Sequence, residues 1–462
     1  MKIAMLASEV VPFAKSGGLA DVAGALPLAL EYCGHEVIVI LPKYKCILDT
    51  KFKIKRFSAD VSYSIIGKNI KVYFIENSAY FNRDGLYGDK NGDYPDNLDR
   101  FAFFCRRSID LLKEINFCAD ILHLHDWQNC LVPVYLKSIY SDKNFYKKMK
   151  CVLTIHNTGY QGIFNKEEFS KLGLSWDLFD INGLEFYGKV NLLKGGIIFS
   201  DFINTVSPTY AREIQTEEFG FGLDGLFRRR KDVLSGILNG VDYSLWDPDI
   251  DKFIAQNFSQ TAVGNKVSDK EDLQKTCGLP PDRNIPVLGI VSRLAQQKGF
   301  DILAGSLDKL CKMNLQLIVL GTGDLKYHQI LKGFADKYPD TISLNLTFND
   351  PLAHKIYAGS DIFLMPSSYE PCGLGQLISL RYGTIPLVFK TGGLADTISA
   401  KNGFVFSDYS EEELLKTVKK ALTAFEQKSK WGNLIANAMK CNFSWKVSAD
   451  KYIKLYAKAK QG

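Results

Sequence analysis

Short runs of apolar and β-branched residues alternate with amphipathic stretches along most of the chain. In the first half these runs occupy 2–7, 36–41, 71–75, 121–124, 151–155, 202–205 and 235–238. In the second half they occupy 287–291, 315–320, 342–346, 362–364 and 387–389. Turn residues bound the runs, and stretches with helical periodicity follow them. This alternation predicts βα units on parallel sheets, and hence an α/β fold.

A polar stretch of low hydrophobicity at 257–283 separates the two series of runs. Together with the length of 462 residues, it predicts two doubly wound, Rossmann-like domains joined near 241–252. We place the N-terminal domain at 1–243 and the second domain at 244–444. A last helix at 445–462 can cross back to the N-terminal domain or cap the second one, and the pattern does not choose between them.

Composition narrows the class of protein. The net charge of +6 is spread over mixed acidic and basic residues, which favours small anionic ligands over a nucleic-acid track. The ten cysteines contain no Cys-x-x-Cys pair, so neither a zinc site nor a disulfide framework is predicted. The apolar run at the N-terminus is only five residues long, and no stretch long enough to span a membrane follows. We expect a cytoplasmic protein without a membrane partner.

Two similar octapeptides, KSGGLADV at 15–22 and KTGGLADT at 390–397, agree at six of eight positions and lie near predicted strand ends. Paired glycines let backbone amides approach a ligand, and a following helix offers unpaired N–H groups to an anion. A tight turn with a hydroxyl cap also explains the glycines, but not the lysine or the repeated Leu-Ala-Asp. We expect both loops to hold one phosphorylated ligand. Neither loop matches the P-loop or the dinucleotide fingerprint.

Two cations and a carboxylate follow strands of the second series. Arg293 and Lys298 come directly after 287–291, where a planar fork and a mobile point charge can stabilise a diphosphate leaving group. Glu370 follows 362–364 in a loop stiffened by Pro and Gly, at the start of a predicted helix. Its carboxylate can orient sugar hydroxyls or cap that helix, and the loop alone does not decide. Cys372 is predicted to be a small packed thiol rather than a reactive one.

Histidines and acidic residues follow strands of the first series. His123 and His125 share a strand face, and without a third ligand at metal-like spacing we expect satisfied polar contacts rather than zinc. Asp126 and His156 fall past their strand ends, where substrate would bind. Two Asp-x-Asp patterns at 247–251 match those of metal-dependent sugar transferases, but they fall in the predicted junction and are interpreted as turn formers. We therefore predict no metal site.

These features combine with further motifs into a family resemblance. The motifs are HDW at 125–127, HN at 156–157, FGFGLDGL at 219–226, LNGVD at 238–242, SRLAQQKG at 292–299, DPLAHKIYAGSD at 350–361 and EPCGL at 370–374. In this order and spacing the chain resembles the bacterial and plastid glycogen and starch synthases, glycosyltransferase family 5, over nearly its whole length. The resemblance implies the GT-B fold, with a deep cleft between its two domains. It also implies transfer of glucose from ADP-glucose to the non-reducing 4-hydroxyl of an α-1,4-glucan with retention of configuration.

The resemblance also implies roles for the matching residues. Lys15 is similar to the donor-binding lysine of the family, and Arg293 and Lys298 to its diphosphate-binding pair. His156 matches the residue beside the transferred glucose, and Glu370 the carboxylate that contacts the sugar. Further substrate-binding positions are implied at Gly17, Gly18, Asp21, Asp126, Asn157, Asn239, Cys372, Gly373, Leu374, Thr391, Gly392 and Gly393.

The implied mechanism uses no metal or other cofactor. Cations and loop amides take up charge on the departing ADP while the acceptor hydroxyl attacks from the same face, and a diphosphate oxygen accepts its proton. The Glu-x7-Glu pattern of many retaining GT-B enzymes is incomplete here, because Ile378 stands at the second position. The expected partners are ADP-glucose and glycogen, with no nucleic acid, and the oligomeric state stays open. The alternatives are a GT-B glucosyltransferase that uses UDP-glucose and a catalytically silent glycan-binding homologue.

Overall fold

The computed structural model describes residues 1–49 and 51–461, which fall into two compact units. Unit 1 comprises Met1–Gly240 and Trp445–Gly462, and unit 2 comprises Val241–Ser444. The limits of the functional domains at 243 and 444 stay a prediction.

Unit 1 is built on a nine-stranded sheet, with five short strands outside it. The strands are β1 (Lys2–Leu6), β2 (Glu36–Pro42), β3 (Lys55–Arg56), β4 (Val61–Ile66), β5 (Ile70–Ile75), β6 (Gly88–Asp89), β7 (Gly92–Asp93), β8 (Ile121–His125), β9 (Lys150–Ile155), β10 (Ile163–Asn165), β11 (Glu185–Phe186), β12 (Lys189–Asn191), β13 (Phe202–Thr205) and β14 (Leu234–Gly236). The order across the large sheet is β14-β13-β9-β8-β1-β2-β5-β4-β3. Neighbours from β14 to β5 are parallel, and their buried apolar runs are typical of strands covered on both faces.

The helices of unit 1 connect these strands. Those in the first part of the chain are α1 (Gly18–Tyr32), α2 (Ser78–Phe81), α3 (Asn97–Glu114), α4 (Leu131–Lys137), α5 (Leu192–Phe199), α6 (Pro208–Glu213), α7 (Glu217–Gly220) and α8 (Asp224–Arg229). Short 3-10 turns occupy Lys45–Asp49, Trp127–Asn129, Lys166–Leu172, Trp176–Leu178 and Lys231–Val233. Several helices begin at a side-chain cap; Ser207, for example, accepts the N–H of Tyr210 ahead of α6.

Unit 2 contains a six-stranded, fully parallel sheet in the order β17-β16-β15-β18-β19-β20. Its strands are β15 (Val287–Val291), β16 (Gln316–Leu320), β17 (Ile342–Asn345), β18 (Ile362–Met365), β19 (Ile385–Phe389) and β20 (Phe404–Phe406). Its helices are α9 (Lys266–Thr276), α10 (Phe300–Leu310), α11 (Leu325–Lys337), α12 (Asp350–Gly359), α13 (Gly375–Arg381), α14 (Gly392–Thr397), α15 (Glu411–Glu426) and α16 (Lys428–Lys440), with 3-10 turns at Val263–Asn265 and Gln296–Lys298. The last helix, α17 (Trp445–Gln461), belongs to unit 1.

One detail of the structure differs from the sequence prediction, and a second adds to it. The large sheet of unit 1 carries an antiparallel edge formed by β4 and β3, because a tight turn around Gly67 folds the chain back between β4 and β5. The interpretation of 247–251 as turn formers is confirmed for Asp247 and Asp251, each of which accepts the backbone N–H two residues later, and Asp251 has a second role as well. One oxygen of Asp251 accepts the N–H of Phe253, as in a turn, but the other bonds to His354 and Tyr382 in the core of unit 2.

Candidate active site

The strand order changes direction once in the large sheet of each unit. In unit 1, apart from the antiparallel strands β3 and β4, the chain runs from β1 outward to β2 and β5, and then returns to place β8 on the other side of β1. In unit 2 it runs from β15 to β16 and β17, and then returns to place β18 beside β15. Ligands of open α/β sheets bind at such switch points, outside the carboxyl ends of the strands. Each unit therefore has its own candidate ligand site, formed in unit 1 by the segments that follow β1 and β8 and in unit 2 by those that follow β15 and β18.

Glu9 organises the glycine loop that follows β1. Its side chain is buried, and its carboxylate accepts hydrogen bonds from the backbone N–H groups of Ser16 and Gly17. It also accepts the hydroxyl protons of Ser16 and Tyr87, each at 2.6 Å. The amide of Gly17, which the sequence predicts to approach the donor, is thus bonded to a carboxylate of the protein.

Lys15 and the two glycines of this loop present an open surface. The Lys15 ammonium forms an ion pair with Asp21 at 2.8 Å, and its side chain is 54% exposed. A Cβ atom added at Gly17 or Gly18 would have no atom within 4 Å, and Gly17 has an extended φ of −151° that any residue adopts. Neither packing nor backbone conformation explains these glycines. They leave room for a ligand to approach the backbone of the loop.

Asp126 and His156 meet where β8 and β9 end. Asp126 has a φ of +55° and a ψ of −177°, a combination that is rare outside glycine and is retained mainly at functional sites. Its carboxylate accepts the N–H of His156 at 2.7 Å. Burial raises the pKa of Asp126 to about 7; the N–H of His156 opposes this shift and the charge of Glu9 adds to it. Burial lowers the pKa of His156 to about 3, so its ring is neutral near pH 7.

Both histidines of β8 make polar contacts, as predicted, but only His123 is bonded through both of its ring nitrogens. The rings of His123 and His125 lie on one face with their centroids 4.3 Å apart. His123 bonds through Nε2 to the Thr154 hydroxyl at 2.7 Å and through Nδ1 to the Tyr456 hydroxyl at 2.8 Å. His125 Nδ1 lies 3.0 Å from His156 Nε2. Within residues 1–49 and 51–461, no group of three or more His, Cys, Asp or Glu is arranged to hold a metal ion.

Two asparagines follow strands at the same edge of the sheet. Asn157 comes after β9, and its Oδ1 accepts the N–H of Gly159 at 2.9 Å. Asn239 comes after β14 and is buried, yet its Oδ1 has no hydrogen-bond partner among the described residues. A buried acceptor without a partner costs about 1–3 kcal/mol. Such an atom is a candidate for contact with a ligand.

Lys298 and Glu370 form an ion pair at the switch point of unit 2. Lys298 Nζ lies 2.6 Å from Glu370 Oε2, which also accepts the Ser367 hydroxyl proton at 3.1 Å. The two charged side chains are 22% and 9% exposed, so the pair is largely desolvated. Arg293 lies at the end of the same strand as Lys298 but is exposed, and its side chain bonds only weakly, at 3.5 Å, to Gln297. In the part of the chain that the structure describes, Arg293 has no ion-pair partner.

The segment that follows Glu370 is not yet helical. Helix α13 begins only at Gly375, so the alternative in which Glu370 caps a helix is wrong. Gly373 has a left-handed φ of +74°, which delays the start of the helix, and Leu374 is its N-cap. Cys372 is buried, as predicted for a packed thiol.

The second glycine loop differs structurally from the first despite the shared sequence. A Cβ at Gly392 would lie 2.0 Å from the carbonyl oxygen of Glu370, and one at Gly393 would lie 2.0 Å from that of Cys372. The N–H of Gly393 donates to the Glu370 carbonyl at 3.1 Å, and that of Thr391 to a carbonyl oxygen at the end of β19. Close packing within unit 2 therefore requires these glycines. Two amides predicted to hold phosphate are bonded inside the protein.

Glu9 is the residue that sequence reasoning missed. It stands three residues past the end of a buried parallel strand, the same kind of position that draws attention to Asp126 and Glu370. Applying the strand-end rule to β1 as well as to the later strands would have found it.

Comparison with known proteins shows which family the chain belongs to. The family described as "Starch synthase catalytic domain" matches residues 2–229, and "Glycosyl transferases group 1" matches residues 270–437. The glycogen synthase of Geotalea uraniireducens is 50% identical over 475 residues, which cover 99% of this chain and 98% of the relative. The chain belongs to the glycogen and starch synthase family of glycosyltransferases. The glycogen synthase of Thermotoga maritima, 45% identical with 99% of each chain covered, is another relative.

Solved structures support the same assignment. The catalytic domain of starch synthase IV from Arabidopsis thaliana, bound to ADP and acarbose, is 31% identical with a TM-score of 0.90, covering 100% of this chain and 99% of that one. A sucrose-phosphate synthase from Thermosynechococcus elongatus, 16% identical over 99% of this chain and 98% of its own with a TM-score of 0.63, shows the fold alone.

Membership of the family confirms several predictions. The GT-B fold of two Rossmann-like domains is confirmed, as is a retaining hexosyltransferase with glycogen synthase function that acts on a nucleotide-sugar donor and a glucan acceptor. The UDP-glucose and silent-homologue alternatives receive no support from these relatives. No helix among the described residues is both long and apolar enough to cross a bilayer.

Proposed function

We propose that this chain uses ADP-glucose and transfers its glucose to the non-reducing 4-hydroxyl of an α-1,4-glucan, with Arg293 and Lys298 as the cations that stabilise the departing ADP. The observation that carries the proposal is the ion pair of Lys298 and Glu370 at the switch point of unit 2. Arg293 follows the same strand as Lys298 and has no ion-pair partner among the described residues. The ADP found with the Arabidopsis starch synthase supports the choice of nucleotide.

The two cations act at different stages. Arg293 is exposed, and its guanidinium fork suits bidentate contact with a diphosphate as the donor binds. The charge of Lys298 is balanced by Glu370 in the resting protein. As the bond to ADP breaks, negative charge grows on the leaving oxygen, and Lys298 is already fixed in place to stabilise it. No metal or other cofactor takes part in the proposal, because these residues supply the positive charge.

The sugar and the acceptor are bound by oxygen and nitrogen atoms at the strand ends. Glu370 Oε1 has no hydrogen-bond partner among the described residues and can accept a sugar hydroxyl, and Asn239 Oδ1 can do the same in unit 1. The neutral ring of His156 offers a hydrogen bond beside the transferred glucose. Further contacts are proposed at Lys15, Gly17, Gly18, Asp21, Asp126, Asn157, Cys372, Gly373, Leu374, Thr391, Gly392 and Gly393.

The two glycine loops are proposed to act in different ways. The open flank of Gly17 and Gly18 admits a ligand against the backbone. Gly392 and Gly393 instead hold the Glu370 segment in place by close packing, so we propose that they act mainly through the position of that carboxylate.

A donor comparison tests the proposal. Turnover is measured with ADP-glucose and with UDP-glucose side by side, with glycogen as acceptor, and the new linkage is identified in the product. We expect ADP-glucose to be the preferred donor and an α-1,4 linkage to form. Preference for UDP-glucose would overturn the assignment of the nucleotide, and no turnover with either donor would overturn the enzymatic roles of these residues.

A cytoplasmic location is also part of the proposal. All ten cysteines are free thiols, as suits a reducing compartment. Cell fractionation with an antibody against the chain tests this location, and recovery in an oxidising compartment would overturn it.

A further inference from the structure

We propose that His125 is a positioning residue that fixes the tautomer of His156, so that His156 presents an Nδ1–H donor and never a proton-accepting nitrogen to the substrate. The inference rests on the proposed place of His156 beside the transferred glucose. It adds the direction of one hydrogen bond, and with it the role that the ring can play.

His125 is held rigidly enough to perform this task. It ends β8, its side chain is fully buried, and its ring packs on that of His123. His156 begins the loop after the neighbouring strand β9, and its Nε2 lies 3.0 Å from His125 Nδ1. The backbone of His156 is anchored separately, because its N–H donates to Asp126. Main chain and ring are thus each held by one neighbour.

One proton lies between the two rings, and the surroundings of His125 determine whether it is bonded to His125 Nδ1 or to His156 Nε2. Each neutral imidazole carries a single proton. If His156 donated from Nε2, His125 would have to carry its own proton on Nε2, which is buried and meets no acceptor among the described residues. Buried side-chain N–H groups without a hydrogen-bond partner are uncommon in native proteins. If His125 donates from Nδ1 instead, its Nε2 carries only a lone pair, and no N–H is stranded.

Neither ring carries a second proton near pH 7, so only one of the two rings can donate the hydrogen bond between them. Burial lowers the pKa of His125 well below its usual value, and the neighbouring His123 and His156 lower it further. Burial also lowers the pKa of His156 to about 3. Both rings are therefore neutral near pH 7, and one hydrogen bond of defined direction joins them. With Nε2 of His156 accepting that bond, its own proton must sit on Nδ1.

The tautomer of His156 determines whether its ring can act as a base in the reaction. A His156 ring with Nδ1–H donates a hydrogen bond to an oxygen of the sugar and cannot take a proton from the acceptor hydroxyl at that nitrogen. The proton of the attacking hydroxyl must then leave by another route, as in a transfer where the departing diphosphate accepts it. His125 never touches the substrate in this scheme and acts only through His156.

Tautomer-resolved NMR of the whole chain tests the inference directly. Six histidines are few enough for ¹⁵N-histidine labelling, and two-bond ¹H–¹⁵N correlations show which ring nitrogen carries the proton. Spectra of the His125→Asn and His156→Asn variants assign the two rings. At pH 7 we expect protons on Nδ1 of both His125 and His156. A His156 ring protonated at Nε2 would overturn the proposal.

A set of three variants adds a functional readout. His125→Asn keeps an N–H near the position of Nδ1, whereas His125→Leu removes it. His123→Leu is the matched control, because His123 lies on the same strand and is equally buried but makes no bond to His156. We expect His125→Leu to lower kcat about 10- to 100-fold, by analogy with the loss of a residue that orients a metal-ligating histidine. His125→Asn should restore most of this loss, and KM for ADP-glucose should change little.

The outcomes separate this inference from the proposed function. Equal loss of kcat in His125→Leu and His123→Leu, or no rescue by His125→Asn, would mean that packing alone is involved and would overturn the inference. The tautomer measurement uses the His125→Asn and His156→Asn variants only to assign the two rings, and it does not depend on folding of the leucine variants. It requires no turnover, so absence of activity with ADP-glucose would refute the proposed function and leave the tautomer result standing.

Discussion

Replacing Lys298 and Arg293 separately by alanine tests two roles for two neighbouring cations. Lys298→Ala leaves Glu370 with a side chain only 9% exposed and no ammonium 2.6 Å away. Removing one partner of a fully buried pair costs about 3–5 kcal/mol; because the Lys298 side chain is 22% exposed, we expect about 2–3 kcal/mol here. Arg293 is exposed and weakly bonded, so Arg293→Ala should change the free energy of unfolding by less than about 0.5 kcal/mol.

Urea unfolding followed by tryptophan fluorescence, together with turnover, distinguishes the two cations. Both variants should slow transfer by about 100-fold or more, because each removes charge stabilisation of the departing ADP. Only Lys298→Ala should lower the urea midpoint, with an unchanged slope. The double variant Lys298→Ala/Glu370→Gln should regain most of the lost stability and stay inactive, since glutamine strands no charge. The reasoning is refuted if Arg293→Ala destabilises as much as Lys298→Ala, or if the double variant is no more stable than Lys298→Ala.

Three further predictions concern the strand-end loops. Gly18→Ala should leave the urea midpoint unchanged and raise KM for ADP-glucose, whereas Gly393→Ala should lower the midpoint strongly, because its Cβ would lie 2.0 Å from a carbonyl oxygen; equal midpoints would contradict this. Glu9→Gln should cost about 1–3 kcal/mol of stability in the same assay, because an amide cannot accept every bond that the carboxylate accepts, and a stable variant with unaltered kinetics would argue against it. The pKa of Asp126 is raised from 3.8 to about 7, so its carboxyl stabilises the fold below the unfolded pKa and this contribution is lost as pH rises. The stability of wild type relative to Asp126→Asn should therefore fall between roughly pH 4 and 7, and a constant difference across that range would exclude the shift.

The strands could be predicted because a strand that is buried on both faces has a continuous run of apolar residues in the sequence. The predicted run at 287–291 coincides with Val287–Val291, and each of the other predicted runs overlaps an observed strand. The strand at Val61–Ile66 was missed because it lies near the antiparallel edge of its sheet. There Ser62 and Ser64 interrupt the apolar run, so a search for continuous apolar runs passes over it.

The site could be predicted only as far as position along a strand reveals it. Arg293 and Glu370 could be identified because each follows a buried strand. The sequence did not reveal that Glu370 is ion-paired whereas Arg293 has no ion-pair partner among the described residues. The pairing of Glu370 with Lys298, 72 residues away in sequence, depends on which strands become neighbours. The two glycine loops show the same limit. Their sequences are nearly identical, yet only the loop at Gly392 is packed against a distant segment.

Unit 1 cannot be completed during translation until the last helix, α17, has been synthesised. Tyr456 supplies the hydroxyl that bonds His123, 333 residues earlier, and Tyr452 supplies the one that bonds Asn204, 248 residues earlier. All of unit 2 must therefore leave the ribosome before unit 1 can complete its polar interior. A nascent chain halted before α17 would carry the strands of unit 1 but lack the two tyrosine hydroxyls that bond His123 and Asn204. Such a chain would be a client for chaperones rather than a partly active enzyme.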